Sequence, residues 1–185
     1  MDVAKDLFFA QQGLRMLFSV TNKLQVLGDK ELEDLTIRQM LAIPALIHAP
    51  IGKATINYVA RHLGTTKQNA KQIVDAMAKK GYLAITPSEQ DKRAVNVTVT
   101  LAGEQAFKKC SERTDGFLAT IFEGFTSEEL EKMYILLRKL YGFDGIEQES
   151  LEGHVGYNSN EASEILRHHQ SFAKRRALSQ SKGKK

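Results

Sequence analysis

The stretch TINYVARHLGTTKQNAKQIVDAMAKKGYLAIT, residues 55–86, followed by AVNVTVT, residues 94–100, decides the fold. Ile56, Val59, Ala60 and Leu63 recur at helical spacing, and Gly64 supplies the residue best suited to the left-handed conformation that ends a helix. Thr65 or Thr66 then caps a longer helix ending at Lys80, with Ala70, Ile73, Val74 and Met77 on one face and Gly81 closing it. Two helices joined by a short glycine turn make a helix-turn-helix. Tyr82–Thr86 reads as a strand, Pro87–Arg93 as a polar turn, and Ala94–Thr100 alternates apolar and polar as a half-buried strand does. Helix, turn, helix and hairpin in that order are the layout of a winged helix.

Outward from this segment the chain is helical. Leu7, Phe8, Leu14, Leu17, Phe18, Leu24 and Leu27 place one long helix over residues 2–28, with Gly28 as its stop. Thr36 caps a second helix carrying Met40, Leu41, Ile43, Leu46 and Ile47, in which Pro44 should introduce a kink or a break. Thr100 caps a helix over Leu101–Phe122, and Thr126-Ser127-Glu128-Glu129 opens another that Gly142 ends near Tyr141. Residues 143–160 read as a loop, residues 160–174 as a short amphipathic helix using Ile165, Leu166 and Phe172, and the basic residues from Lys174 onward as a disordered tail. The expected fold class is mainly α with a small β-hairpin wing, a winged helix-turn-helix with long terminal helices whose apolar faces call for either a dimer or an intramolecular three-helix cap. Residues 1–34 form an amino-terminal dimerisation helix, 35–100 the winged lobe, 101–142 the carboxy-terminal dimerisation helices, and 143–185 a linker, short helix and basic tail.

Composition narrows the function. The net charge of +4 is unevenly spread: residues 53–109 hold ten Lys/Arg against four Asp/Glu, whereas residues 110–150 hold four against nine. A basic segment beside an acidic one is the footprint of a polyanion partner, or simply a solvated basic surface. A single cysteine, Cys110, allows no internal disulfide, and it reads as an inert buried thiol. The amino terminus has no leader pattern, and the most apolar stretch, Met40–Gly52, is too short to span a bilayer, so a cytoplasmic location with no membrane association is expected. His48, His62, His154, His168 and His169 form no metal-ligand spacing, with His168-His169 read as a surface pair. No phosphate loop, nucleophile elbow or two-histidine metal helix occurs, so neither an enzyme nor a cofactor is expected.

From Leu35 to Gly103 the sequence resembles the MarR family of winged-helix transcription regulators. The resemblance is carried by Leu35-Thr36 with Gln39, by Gly81-Tyr82-Leu83, and above all by Asp91-Lys92-Arg93 followed by Val97, Val99-Thr100 and Gly103. With the flanking helices it covers about residues 5–142. Gln72 and Ile85 stand where many relatives carry arginine. The resemblance implies a homodimer interlocked through the first and last helices, a pseudo-palindromic operator, and a small-molecule effector, commonly aromatic, between the dimer helices and the lobe. The function it implies is a ligand-responsive repressor binding double-stranded DNA; the competing reading is a winged helix that contacts protein or RNA.

A major groove admits one helix, whose first residues reach base edges. The polar face here offers Thr65, Thr66, Lys67, Gln68, Asn69, Lys71 and Gln72. Gln68, Asn69 and Gln72 suit base edges, Thr66 and Lys71 suit phosphates, and Lys67 suits either. Lys92 and Arg93 sit at the hairpin tip, where an arginine can enter a narrow minor groove or pair with Asp91 to shape the turn.

Overall fold

The first helix, α1 (Val3–Leu32), is 30 residues long and buries only Gly28 and Leu32. This computed structural model describes residues 2–87, 95–145 and 169–182. The helix α1 does not stop at Gly28. That glycine is a contact point instead: a Cβ there would lie 2.3 Å from Cγ1 of Ile37. The helix ends four residues later in a tight turn at Glu33 (φ 55°, ψ −66°), closed by the Asp34 amide donating to the Leu32 carbonyl at 2.6 Å. This is a γ-turn of the sterically strained hand.

Thr36 caps α2 (Ile37–Ile47) in a reciprocal capping box with Gln39. The Ile37 amide donates to the Asp29 carboxylate of α1 at 2.7 Å, tying the two helices across the turn. Pro44 does not break α2. It removes one backbone hydrogen bond, a loss of roughly 3 kcal/mol in an isolated helix, but Ala42, Ile43, Ala45 and Leu46 around it are all buried and hold the helical path. Tertiary burial overrides the local penalty.

Helices α3 (Ile56–His62) and α4 (Lys67–Lys79) follow, capped by Thr55 and Thr66. Gly64 (φ 56°) and Gly81 (φ 75°) adopt the left-handed conformation required just beyond each helix. Strands β1 (Leu83–Pro87) and β2 (Val95–Val99) pair antiparallel, with Leu83 opposite Val99 and Pro87 opposite Val95. The edge of β2 is also engaged: the Val97 amide donates to the Ala54 carbonyl at 2.8 Å. The core of this lobe is made of Ile43, Val59, Ala70, Val74, Met77 and Val97, each at most 1% exposed. Leu32 and Leu35 from the α1–α2 junction and Cys110 from α5 complete it.

Helix α5 (Leu101–Ile121) starts at Thr100, whose hydroxyl donates to the Gly81 carbonyl and accepts from the Gly103 amide. Gly103 is required here by contact rather than by conformation: a Cβ would lie 2.2 Å from the Tyr82 carbonyl oxygen. Helix α6 (Ser127–Tyr141) buries none of its residues and runs into a short 3-10 turn over Gly142–Asp144. The last helix, α7 (Gln170–Lys182), packs along α5. The basic tail is therefore helical from residue 170, not disordered. Its order comes from docking: Arg175 donates to the Gly116 carbonyl and the Thr120 hydroxyl, and Arg176 to the Phe122 and Phe125 carbonyls. Most of the amphipathic segment expected over 160–174 lies outside the described residues.

Candidate nucleic-acid interface

The second helix of the helix-turn-helix presents two faces. Ala70, Val74 and Met77 are fully buried, which turns Thr66, Lys67, Gln68, Asn69, Lys71 and Gln72 to solvent; Thr65 is half-buried in the preceding turn. The Thr66 hydroxyl accepts from the Asn69 amide at 3.2 Å, and the Asn69 side-chain amide donates to the Thr65 hydroxyl at 3.3 Å. Asn69 thus keeps its carbonyl oxygen and one N–H for other partners. Lys71 pairs with Asp75 at 2.5 Å, one turn along the helix. Both groups are exposed, so the pair is weak and easily exchanged for a phosphate. The helix begins with free backbone N–H groups and no acidic residue in its first turn, so its amino-terminal end is electropositive.

Beside this helix the hairpin projects from the lobe. The Lys92 and Arg93 positions lie outside the described residues, and the strand register from Leu83–Val99 to Pro87–Val95 is what carries the chain toward them. Ile85, read as a departure from a common arginine, is partly exposed on β1.

Behind the α4 face, a charged junction joins the lobe to the long helices. Lys109 of α5 pairs with Asp34 at 2.6 Å, and Arg113 with Glu33 at 2.7 Å. Lys80, just past the end of α4, donates to the Asp34 carbonyl at 2.8 Å. The hydrogen bond from Lys109 holds the Asp34 carboxyl below its ordinary range and raises the Lys109 ammonium. Nothing in the sequence reading found this junction, because its partners are about 75 residues apart and local spacing carries no trace of them. Cys110 sits beneath it, 1% exposed, its thiol donating to the Leu32 carbonyl at 3.3 Å. Burial pushes that thiol up, which disfavours the reactive thiolate. His169, read as half of a surface pair, is exposed and also meets the buried Asp115 carboxylate at 2.7 Å, while His168 lies outside the described residues.

Among the described residues no helix is long and apolar enough to cross a membrane. The profile of the MarR family matches residues 33–94, from the α1–α2 junction to the residue before β2. The transcriptional activatory protein BadR of Rhodopseudomonas palustris is 29% identical over 111 residues, 58% of this chain and 60% of BadR. Among solved structures, the MepR–DNA complex of Staphylococcus aureus superposes with a TM-score of 0.62 at 21% identity, covering 69% of this chain and 94% of MepR. PcaV of Streptomyces coelicolor with its natural ligand superposes with a TM-score of 0.63 at 16% identity, covering 70% and 91%. Residues 33–94 thus match the MarR family, and the chain as far as the flanking helices shares the winged helix-turn-helix fold of these solved structures.

Proposed function

We propose that this protein is a sequence-specific double-stranded DNA-binding transcription regulator, without enzymatic activity, acting as a homodimer on a pseudo-palindromic operator. The observation that carries the reading is the division of α4: an apolar side locked into the lobe and a side of Thr, Lys, Gln and Asn turned wholly to solvent. A helix so anchored offers a rigid polar edge of the width a major groove accepts. Gln68, Asn69 and Gln72 read bases; Thr66 and Lys71 hold phosphates; Lys67 serves either, and Thr65 orients Asn69. Lys92 and Arg93 follow the neighbouring backbone or minor groove. Homodimerisation is supported by the exposed apolar surface of α1 and α6, including Phe8, Phe18, Leu136 and Leu140, each at least 50% exposed in the single chain. So many large apolar side chains left exposed on two helices suit an interface. That MepR has been solved on DNA and PcaV with a natural ligand supports operator binding and a small-molecule effector here. Repression is the expected sign, although BadR is named for activation.

Selection of bound duplexes from a random library tests the reading. An inverted-repeat site should emerge, with half-sites about one helical turn apart. Gln68→Ala should then lose about 1–3 kcal/mol at particular base pairs, measured by mobility shift on a panel of mutated sites. No enrichment of any duplex at low ionic strength would leave the protein- or RNA-contact reading in its place.

A further inference from the structure

The connection between α5 and α6 is short and thinly supported by its own contacts. The Phe125 amide donates to the Phe122 carbonyl at 3.1 Å, and the two rings meet edge to face with centroids 5.5 Å apart. Gly124, at its middle, touches nothing through the Cβ position, and α6 beyond it buries no residue. The far end of α6 is tied to α3, where the Tyr141 hydroxyl donates to the Arg61 carbonyl at 3.3 Å, but among the described residues nothing within α5 and α6 themselves fixes the direction in which α6 leaves the turn. What does reach the turn is α7. One guanidinium, that of Arg176, donates to the Phe122 carbonyl at 2.6 Å and also to the Phe125 carbonyl. These are the two ends of the turn. Arg175, one residue earlier, donates at 3.2 Å both to the Gly116 carbonyl and to the Thr120 hydroxyl on the last turns of α5. His169, at the start of α7, meets Asp115, whose carboxylate is buried. Three side chains in succession thus set α7 in one register along α5, and that register delivers Arg176 to the corner. Cations at a helix carboxy-terminus are favoured by its dipole and by its unpaired carbonyls.

We propose that α7 is a built brace and Arg176 its positioning residue: the guanidinium pins the corner between α5 and α6 and so sets the direction of α6. A planar five-donor fork can span two carbonyls at once, which a single ammonium cannot do with the same geometry. Because α6 carries much of the exposed apolar surface, the brace also presets the dimer arm; that consequence rests on the homodimer reading above. It further removes Arg175 and Arg176 from the pool of tail charges free to meet DNA, leaving the exposed Lys174 outside the contact.

The test uses the full chain carrying spin labels at Glu104→Cys on α5 and Glu131→Cys on α6, diluted into unlabelled protein so that only distances within one chain are read. A single narrow distribution is expected without further change, a broadened or shifted one with Arg176→Ala, and an intermediate one with Arg176→Lys. Lys174→Ala should leave the distribution unchanged. Without labels, Arg176→Ala should weaken dimerisation about tenfold in sedimentation equilibrium, the scale of losing a charged hydrogen-bond pair. An unchanged distance distribution in both Arg176→Ala and Arg176→Lys overturns the brace, even if Arg176→Ala lowers the melting temperature. If Arg176→Ala loses its far-ultraviolet helical signal, the Arg176→Lys distribution decides. A parent chain that is monomeric overturns the dimer reading alone, since the label distances are read within one chain.

Discussion

The winged lobe and the long helices that flank it are built on opposite terms. In the lobe, the apolar stripes of α2, α3 and α4 converge with β2 on one core, and Ile43, Val59, Val74, Met77 and Val97 are effectively sealed from water. In the flanks, α1 buries two of its thirty residues and α6 none, while Phe18 remains 67% exposed and Leu136 64%. One region is finished within a single chain. The other has apolar surface written into it that the described residues of one chain leave uncovered. The lobe can therefore serve as the rigid DNA reader proposed above, and the proposed homodimer would complete the flanks.

Substitutions can break or sharpen that contrast. The largest effect belongs to the lobe core: Met77→Ala should cost about 2–5 kcal/mol in denaturant unfolding. Leu136→Ala on α6 should leave the unfolding of dilute, monomeric protein unchanged and act only where dimer forms, shown by a concentration-dependent melting temperature in the parent that the variant lacks. Next come the two glycines of close approach. Gly103→Ala drives a methyl against the Tyr82 backbone, which cannot move aside, and should cost about 1–3 kcal/mol. Gly28→Ala meets side chains, Ile37 closely and Phe117 at ordinary contact, rather than backbone, and should cost less in the same thermal melt. Thr66→Ala should cost about 1 kcal/mol by removing the cap of α4, with helicity loss confined to residues near 67–70 in amide exchange.

The smallest effect is at the charged junction and depends on pH. Lys109 lowers the Asp34 carboxyl below its ordinary value of 3.8. The stabilisation is therefore complete above that value and is lost as pH falls through the lower, folded-state value. At neutral pH Asp34→Asn should melt below the parent by a small margin, and the two melting curves should converge as the solution is acidified through and below the carboxylate range. A difference that persists undiminished in acid would mean the junction acts by shape rather than charge.

The family resemblance, the order of elements and the caps were legible in the sequence. Thr36, Thr66, Thr100 and Thr126 each cap the helix they precede, because a capping bond spans three residues and is written locally, while Thr55, read as the first residue of its helix, is its cap. The polar residues of α4 were legible for the same reason, since helical period alone assigns their face. Pro44 and Gly28 were misleading because their local preferences lose to contacts made elsewhere in the fold. The order of the basic tail was illegible for a related reason. Its helix is held by the carbonyls at the end of α5, and backbone acceptors carry no residue signature.

What the sequence by itself determined is thus what nearest-turn physics governs: the threonine-capped helix starts, the glycine turns after α3 and α4, the alternating wing strands and the face α4 shows to solvent. Tertiary structure alone decided where distant pieces meet. It placed the Glu33 turn under the clamp of Lys109 and Arg113, Gly103 against Tyr82, and Arg176 at the corner of α5 and α6. Those contacts join residues separated by roughly twenty to eighty positions, and their energies depend on packing geometry that no local pattern encodes.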